Sequence, residues 1–428
     1  MNSNNLHLED KIATSPQAQS PGFYERMVVN TLSKFKLGGL LLTLPDGREL
    51  RFGDPRSPTN NAVIRVRNPE FFRQIALYGN VGFGEAYVEG DWETDNIAAV
   101  ISWFIQNIVA LQGSRASSTR LAGTNLLKAY NRVLHLLRPN SVKTSRRNIS
   151  EHYDLGNDFY SLWLDETMTY SSGRFTDGAK TLEQAQHAKY EALCQKLQLK
   201  ATDHVLEIGC GWAGFCTYAA RQYGCRVTCL TISEEQRKYA TERVKREGLD
   251  HLIEIRLQDY RHVTGQFDKI ASIEMLEAVG DNYVDAYFAK CHEVLKPDGL
   301  LAFQVITVPD CRYANLKRGV DWIQKHIFPG SLLLSLGRIN EAINKTGDMF
   351  LHGIEDLGAS YVKTLGLWHE RFNAKVDDVK SLGFDERFIR KWNFYLQYCQ
   401  AAFATRNISV VQAVYTRPNN PSLAVHGL

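Results

Sequence analysis

From Thr181 onward the apolar positions alternate between helical spacing and short unbroken runs. Leu182, Ala185, Ala188 and Leu193 recur at the intervals of one helix face and predict a helix over Thr181–Leu197. His204–Ile208, Ile253–Leu257, Lys269–Ile273 and Leu300–Ile306 are apolar runs of strand length, and Tyr283–Leu295 reads as a helix before a Pro297-Asp298-Gly299 turn. Ser233–Glu247 is a further helix, with Ser233 as its cap and Gln236 at the capping-box spacing. Strands alternating with helices predict an α/β fold with a parallel, doubly wound sheet, to which a last strand, Ile408–Tyr415, adds antiparallel.

The first hundred residues follow a different pattern. Leu40, Leu42 and Leu44 alternate before Pro45-Asp46-Gly47, so Phe35–Gly53 reads as a hairpin, and Glu70–Leu77 and Asn96–Leu111 have helical spacing. Together they suggest a small α+β domain over residues 23–110, preceded by a polar tail, 1–22, without the apolar core of a secretory signal. The alternating pattern occupies residues 151–428 as a second domain.

Charge changes the picture only locally. The chain of 428 residues carries 50 Lys plus Arg against 47 Asp plus Glu, a net +3 that gives no reason to expect a nucleic-acid partner. Yet no acidic residue falls between Asp95 and Glu151, where eight Lys and Arg give +8 and leave −5 for the rest. Within residues 111–150, Leu126, Tyr130, Val133 and Leu137 share one face of a helix, Asn125–Leu137, with Lys128, Arg132 and His135 opposite. Such a helix suits an anionic bilayer surface, and equally a packed helix followed by a solvated linker. The longest mostly apolar run, Ile97–Ile105, is far below the roughly 20 residues of a membrane span, so membrane contact is expected to be peripheral. Eight cysteines without a CxxC pair argue against a zinc site or a disulfide framework and favour a reducing cytosol.

The strand Val205-Leu206-Glu207-Ile208 runs into Gly209-Cys210-Gly211-Trp212-Ala213-Gly214 and a helix, Phe215–Tyr223, the setting of a nucleotide site. A dinucleotide site wants an acid about 20 residues on, at the end of the next strand. That strand ends Leu230-Thr231-Ile232-Ser233 without one. The E-x-G-x-G form at Glu207–Gly211 instead resembles motif I of the class I S-adenosylmethionine-dependent methyltransferases, with Gln258-Asp259-Tyr260 placed to meet an adenine.

Further motifs narrow the resemblance. His152-Tyr153-Asp154-Leu155-Gly156-Asn157-Asp158, Met168-Thr169-Tyr170-Ser171, Leu257-Gln258-Asp259-Tyr260-Arg261, Met275–Gly280 and His326-Ile327-Phe328-Pro329-Gly330 occur in order, after Gly82–Tyr87 and Gly90-Asp91-Trp92. With them the chain resembles the cyclopropane fatty acid synthases. The resemblance implies an enzyme that adds a methylene from S-adenosylmethionine across the cis double bond of an unsaturated phospholipid acyl chain. It implies cofactor contacts at Tyr170, Ser171, Gly209, Gly211, Gly214, Thr231, Gln236, Gln258 and Asp259. It also implies a bound bicarbonate as base, cradled by the backbone at Ser172, Glu277, Gln304, the backbone of Ile306 and Tyr361, with Cys399 matching a cysteine considered catalytic. Ser172 and Gln304 depart from the bacterial pattern of cysteine and histidine, and Gln304 cannot carry a proton. Phe303, Trp322, Phe328, Trp368, Trp392, Tyr395 and Tyr398 are aromatics that could line an acyl tunnel. The expected setting is the cytoplasmic inner face of a membrane, with an anionic lipid surface as partner and a homodimer left open. Two readings compete: a methyl- or methylene-branched product, and a lipid-binding relative without catalysis.

Overall fold

The computed structural model describes residues 21–54, 56, 61–113, 155–176 and 178–423. The acid-free stretch with its Asn125–Leu137 helix, and the residues His152, Tyr153 and Asp154, lie outside them.

The N-terminal hairpin forms as expected, with β1 (Gly39–Thr43) antiparallel to β2 (Glu49–Gly53). β3 (Asn61–Val66) lies parallel to β1, and β4 (Trp92–Glu93) completes a sheet of order β2-β1-β3-β4. The sequence reading missed β3 because Val63 and Ile64 are adjacent and blur the alternation, although only Ala62, Ile64 and Val66 are buried. Around this sheet pack α1 (Phe23–Leu32), α2 (Glu70–Glu89) and α3 (Ile97–Gly113). α2 continues twelve residues beyond the expected Leu77 by bending at Gly79, whose φ of 58° breaks the helix without ending it.

The larger sheet has the order β10-β11-β9-β8-β5-β6-β7. Its strands are β5 (His204–Ile208), β6 (Arg226–Thr231), β7 (Ile253–Leu257), β8 (Phe267–Ile273), β9 (Leu295–Thr307), β10 (Phe350–Asp356) and β11 (Ser409–Thr416). β11 runs antiparallel to both of its neighbours, β9 and β10; its sense was predicted from the sequence, whereas β10 and the place of β11 between two strands were not. The helices that bear on the site are α4 (Leu182–Lys196), α5 (Gly214–Tyr223), α6 (Glu234–Arg246), α7 (Val284–Val294), α8 (Gly358–Ala374) and α9 (Glu386–Ala404). The Pro297-Asp298-Gly299 segment does not separate two elements. It bulges within β9, where Phe267 pairs with Leu295 and the next pair is Lys269 with Leu300. At α6, Ser233 accepts from Gln236 N at 3.3 Å, but the Gln236 side chain accepts from Thr231 Oγ1 at 2.9 Å, so only half of the expected capping box forms.

One hydrophobic core joins the N-terminal part, through Phe71, Trp92 and Trp103, to Trp163, Trp368 and Trp392 of the larger part, while the strands of the larger sheet pack mainly into two further cores on its faces. α9 is the bridge: it packs on α2 and α3, and Arg390 donates to Tyr87 O at 2.7 Å and Trp92 O at 3.0 Å while covering the Tyr87 ring. Among the described residues no helix is long and apolar enough to cross a membrane.

Candidate active site

Strand order reverses beside β5, which has β6 on one side and β8 on the other, and the crevice at the carboxyl ends of these strands is where open α/β sheets bind ligands. A cavity of about 1120 Å³ opens there. Tyr170, Ser171, Gly209, Gly211, Gly214, Thr231, Gln236, Gln258 and Asp259, expected at the cofactor, all line it. It then continues between α2 and α3, past Ile75, Phe83, Ile101 and Phe104.

The cofactor end fits S-adenosylmethionine on its own geometry. Gly209 sits at φ 84°, and a Cβ there would stand 2.7 Å from Met275 Cγ. At Gly211, φ 53°, a Cβ would meet nothing within 4 Å and would project into space a ligand can use. Glu207 is buried beneath this loop, its Oε2 3.5 Å from Cys229 Sγ, and burial raises its pKa to about 7. Gln258, which also lines the cavity, donates its Nε2 to His262 O at 2.8 Å. Asp259 is clamped by Arg261, with Nε 2.8 Å from Oδ1 and Nη2 2.7 Å from Oδ2, and this guanidinium holds the carboxyl below its ordinary range although burial works the other way. Asp259→Ala is therefore expected to weaken cofactor binding by about tenfold, on the order of one to two kcal/mol, and to change turnover little. Calorimetric titration with S-adenosylmethionine measures this, and an unchanged Kd would refute the adenine assignment.

The residues expected to cradle bicarbonate are not arranged as one empty cradle. Their donors converge on a carboxylate that the sequence reading passed over, Glu274. Ser172 N donates to Glu274 Oε1 at 2.9 Å, Gln304 Nε2 to the same oxygen at 2.7 Å, and the Tyr361 hydroxyl to Oε2 at 2.8 Å. Ser172 and Gln304, 0% and 1% exposed, stand behind Glu274, while Glu274, Glu277, Ile306 and Tyr361 line the cavity. Ile306 N donates instead to Glu277 Oε1 at 2.6 Å. Three of the expected cradle's donors are thus engaged by Glu274 and the fourth by Glu277.

Glu274 follows the last residue of β8 at φ 48°, a left-handed backbone that is strained for a side chain of this kind. Its own N–H donates to Gln304 O at 2.8 Å, and that bond with the three on the carboxylate holds the conformation. Burial raises the pKa of Glu274, opposed by Gln304, Ser172 and the Lys189 ammonium. The pKa of Glu277 is raised to about 8 by burial and by the neighbouring Glu274, and its Oε2 is buried without a hydrogen-bond partner. Cys399 also lines the cavity, but burial and Asp321 push its thiol far above the ordinary range, so it offers no thiolate. Of the seven aromatics proposed for a tunnel, Phe328, Tyr395 and Tyr398 line the cavity, whereas Phe303, Trp322, Trp368 and Trp392 are buried in the core.

Known proteins resemble the chain along most of its length. The mycolic acid cyclopropane synthetase family matches residues 140–413. The chain is 36% identical over 401 residues to a tuberculostearic acid methyltransferase of Mycobacterium tuberculosis, covering 89% of this chain and 88% of the relative. It is 39% identical over 359 residues to the cyclopropane-fatty-acyl-phospholipid synthase of Escherichia coli, covering 83% and 88%. Among solved structures, a mycolic acid cyclopropane synthase complexed with SAH and CTAB superposes with a TM-score of 0.59 at 28% identity, over 64% of this chain and 98% of that one.

Proposed function

The chain belongs to the mycolic acid cyclopropane synthetase family of S-adenosylmethionine-dependent methyltransferases, and from that premise we propose that it methylates the cis double bond of an unsaturated phospholipid acyl chain to give a methylene- or methyl-branched product. One observation carries the choice of product: the carboxylate of Glu274 fills the place where the family resemblance implies a diffusible base.

S-adenosylmethionine, when bound, supplies an electrophilic methyl group on a sulfonium that leaves as a neutral thioether. Tyr170, Ser171 and the Gly209–Gly214 loop hold its methionine end in this reading, Thr231 and Gln236 its ribose, and Asp259 its adenine. The alkene supplies the electrons, so no side chain has to act as nucleophile. Methylation of one alkene carbon leaves a secondary cation on the other, and the aromatic side chains of Phe328, Tyr395 and Tyr398 line the cavity that holds it.

Loss of one proton completes the reaction, and the base decides the product. A strong base in contact with the new methyl would take a proton at once and close a three-membered ring. Both oxygens of Glu274 already accept hydrogen bonds, so a bond must be given up before it takes a proton, and it acts as the slower base. A hydride shift from the methylated carbon then runs first and gives a tertiary cation. Glu274 removes the proton from the methyl or from the adjacent chain carbon, leaving a branched alkene. Gln304 cannot relay that proton as a histidine could, so it stays on Glu274 until the product leaves.

Cyclopropane formation is the second reading. It is favoured by Glu277, whose Oε2 faces no donor and, once ionised, is the stronger base of the pair.

Incubation with a trideuteromethyl cofactor and vesicles of unsaturated phospholipid tests the transfer. Mass spectrometry of the released acyl chains should show one added carbon, with two deuterium atoms where the methyl gives up the proton and three where the chain does. Absence of label from every acyl chain would refute the lipid reading.

A further inference from the structure

A second layer of polar groups lies behind Glu274, on the side away from the cavity, and at its centre is a lysine that the chemistry above does not use. Lys189 on α4 is 0% exposed. Its Nζ donates to Ser171 Oγ at 2.7 Å and to Gln186 Oε1 at 2.6 Å. Gln186, also fully buried, donates from Nε2 to Ser171 O at 3.0 Å. That carbonyl belongs to the same peptide group as Ser172 N, which donates to Glu274 Oε1. One face of a single peptide is therefore pulled by an amide that the ammonium orients, while its N–H points at the carboxylate.

The backbone of the same residue serves the other donor. Gln412 Nε2 lies 3.4 Å from Lys189 O and 3.1 Å from Gln304 Oε1. With its oxygen engaged there, Gln304 has its NH₂ facing Glu274. Both nitrogen donors to Glu274 are thus oriented from α4.

We propose that Lys189 is a positioning residue for the methyl-transfer reaction: with Gln186 it fixes the Ser171–Ser172 peptide, and through that peptide the carboxylate of Glu274. The assignment rests on the reading of Glu274 as the base. Burying an ammonium is unfavourable unless it is compensated. Here the compensation is two hydrogen bonds, the Tyr190 ring 4.7 Å away and the nearby carboxylates of Glu274, Asp165 and Glu207. Burial still lowers the pKa of Lys189 to about 7, with Glu274 the largest opposing influence, so the lysine is charged on the acid side of neutrality. Glu274 in turn faces Glu277, Tyr361 and Lys189, of which Lys189 alone is a cation.

The test is the pH dependence of kcat at saturating cofactor and lipid, in the full chain, for the wild type, Lys189→Met and Gln186→Leu. Removing the cation raises the pKa of Glu274, so the acid limb should move to higher pH by about one unit in Lys189→Met. Gln186→Leu should move it in the same direction by less. Turnover at pH 7 should fall about tenfold in Lys189→Met, with a smaller change in cofactor Kd. A limb at the wild-type position in both variants, or a loss confined to cofactor affinity, overturns the assignment. If Lys189→Met does not fold, as judged by circular dichroism, Gln186→Leu decides alone. The product identity is read separately: a branched product with an unmoved limb overturns the role of Lys189 alone, whereas a cyclopropane overturns the branching reading and with it the base on which that role rests.

Discussion

Glu274→Gln is expected to lower turnover about a thousandfold and to leave cofactor affinity and the fold largely unchanged. The amide has the shape of the carboxylate. Its oxygen can take the Oε1 place and keep the bonds from Ser172 N and Gln304 Nε2. Its NH₂ then meets the Tyr361 hydroxyl, which can rotate from donating to accepting. What is lost is the capacity to receive a proton from the acyl cation. Steady-state turnover on phospholipid vesicles, calorimetric cofactor titration and a thermal melt separate these effects. A kcat within twofold of wild type would remove Glu274 from the proposed chemistry.

Glu277→Gln should act on both activity and stability. Above about pH 8, where Glu277 is ionised, turnover should fall about a hundredfold, because a charged carboxylate beside the reacting cation is lost while the bond from Ile306 N survives to the amide oxygen. The stability effect has a definite sign. Glu277 titrates near 8 in the folded protein and near 4.5 in an unfolded chain. Between these values the folded state holds a proton that the unfolded state does not, so stability falls as pH rises through the window and the full penalty is present above about 8. Glutamine removes that titration. The variant should therefore match the wild type near pH 5 and exceed it at pH 8, by on the order of a few kcal/mol. Denaturant unfolding at the two pH values checks this, and parallel curves at both would contradict the burial of an ionisable Glu277.

Much of the larger sheet was legible because β5, β8 and the second part of β9 are short apolar runs bounded by turn residues or a helix, whereas β10, with His352, Gly353, Glu355 and Asp356, carries no such run and was not predicted. The cofactor loop was legible because the glycines of Gly209-Cys210-Gly211 follow a strand and precede a helix, a context that few other sites share. Glu274 was harder to see. The quoted motif began one residue later, at Met275, and a left-handed φ on a glutamate leaves no mark in sequence. The available signal was weaker: an acid directly after the apolar run Ile270–Ile273, at the carboxyl end of a central strand. Lys189 carried a plainer one. It falls on the same helix face as Leu182, Gln186 and Leu193, a cation at a core position of an otherwise buried stripe. That the cradle's donors meet Glu274 was hidden in the sequence for a physical reason as well. Donors can be carried over one residue at a time, but which acceptor they serve depends on β8, β9 and α8 meeting at one point.

The central claim, that an internal carboxylate steers the cation to branching, is tested most directly by the proton NMR spectrum of the acyl product made by the wild-type enzyme. The account predicts signals of a branched alkene, from an exocyclic methylene or a methyl group on a trisubstituted double bond, without cyclopropyl resonances at high field. Cyclopropyl resonances as the main product signals would contradict it and make Glu277, with its unengaged oxygen, the base.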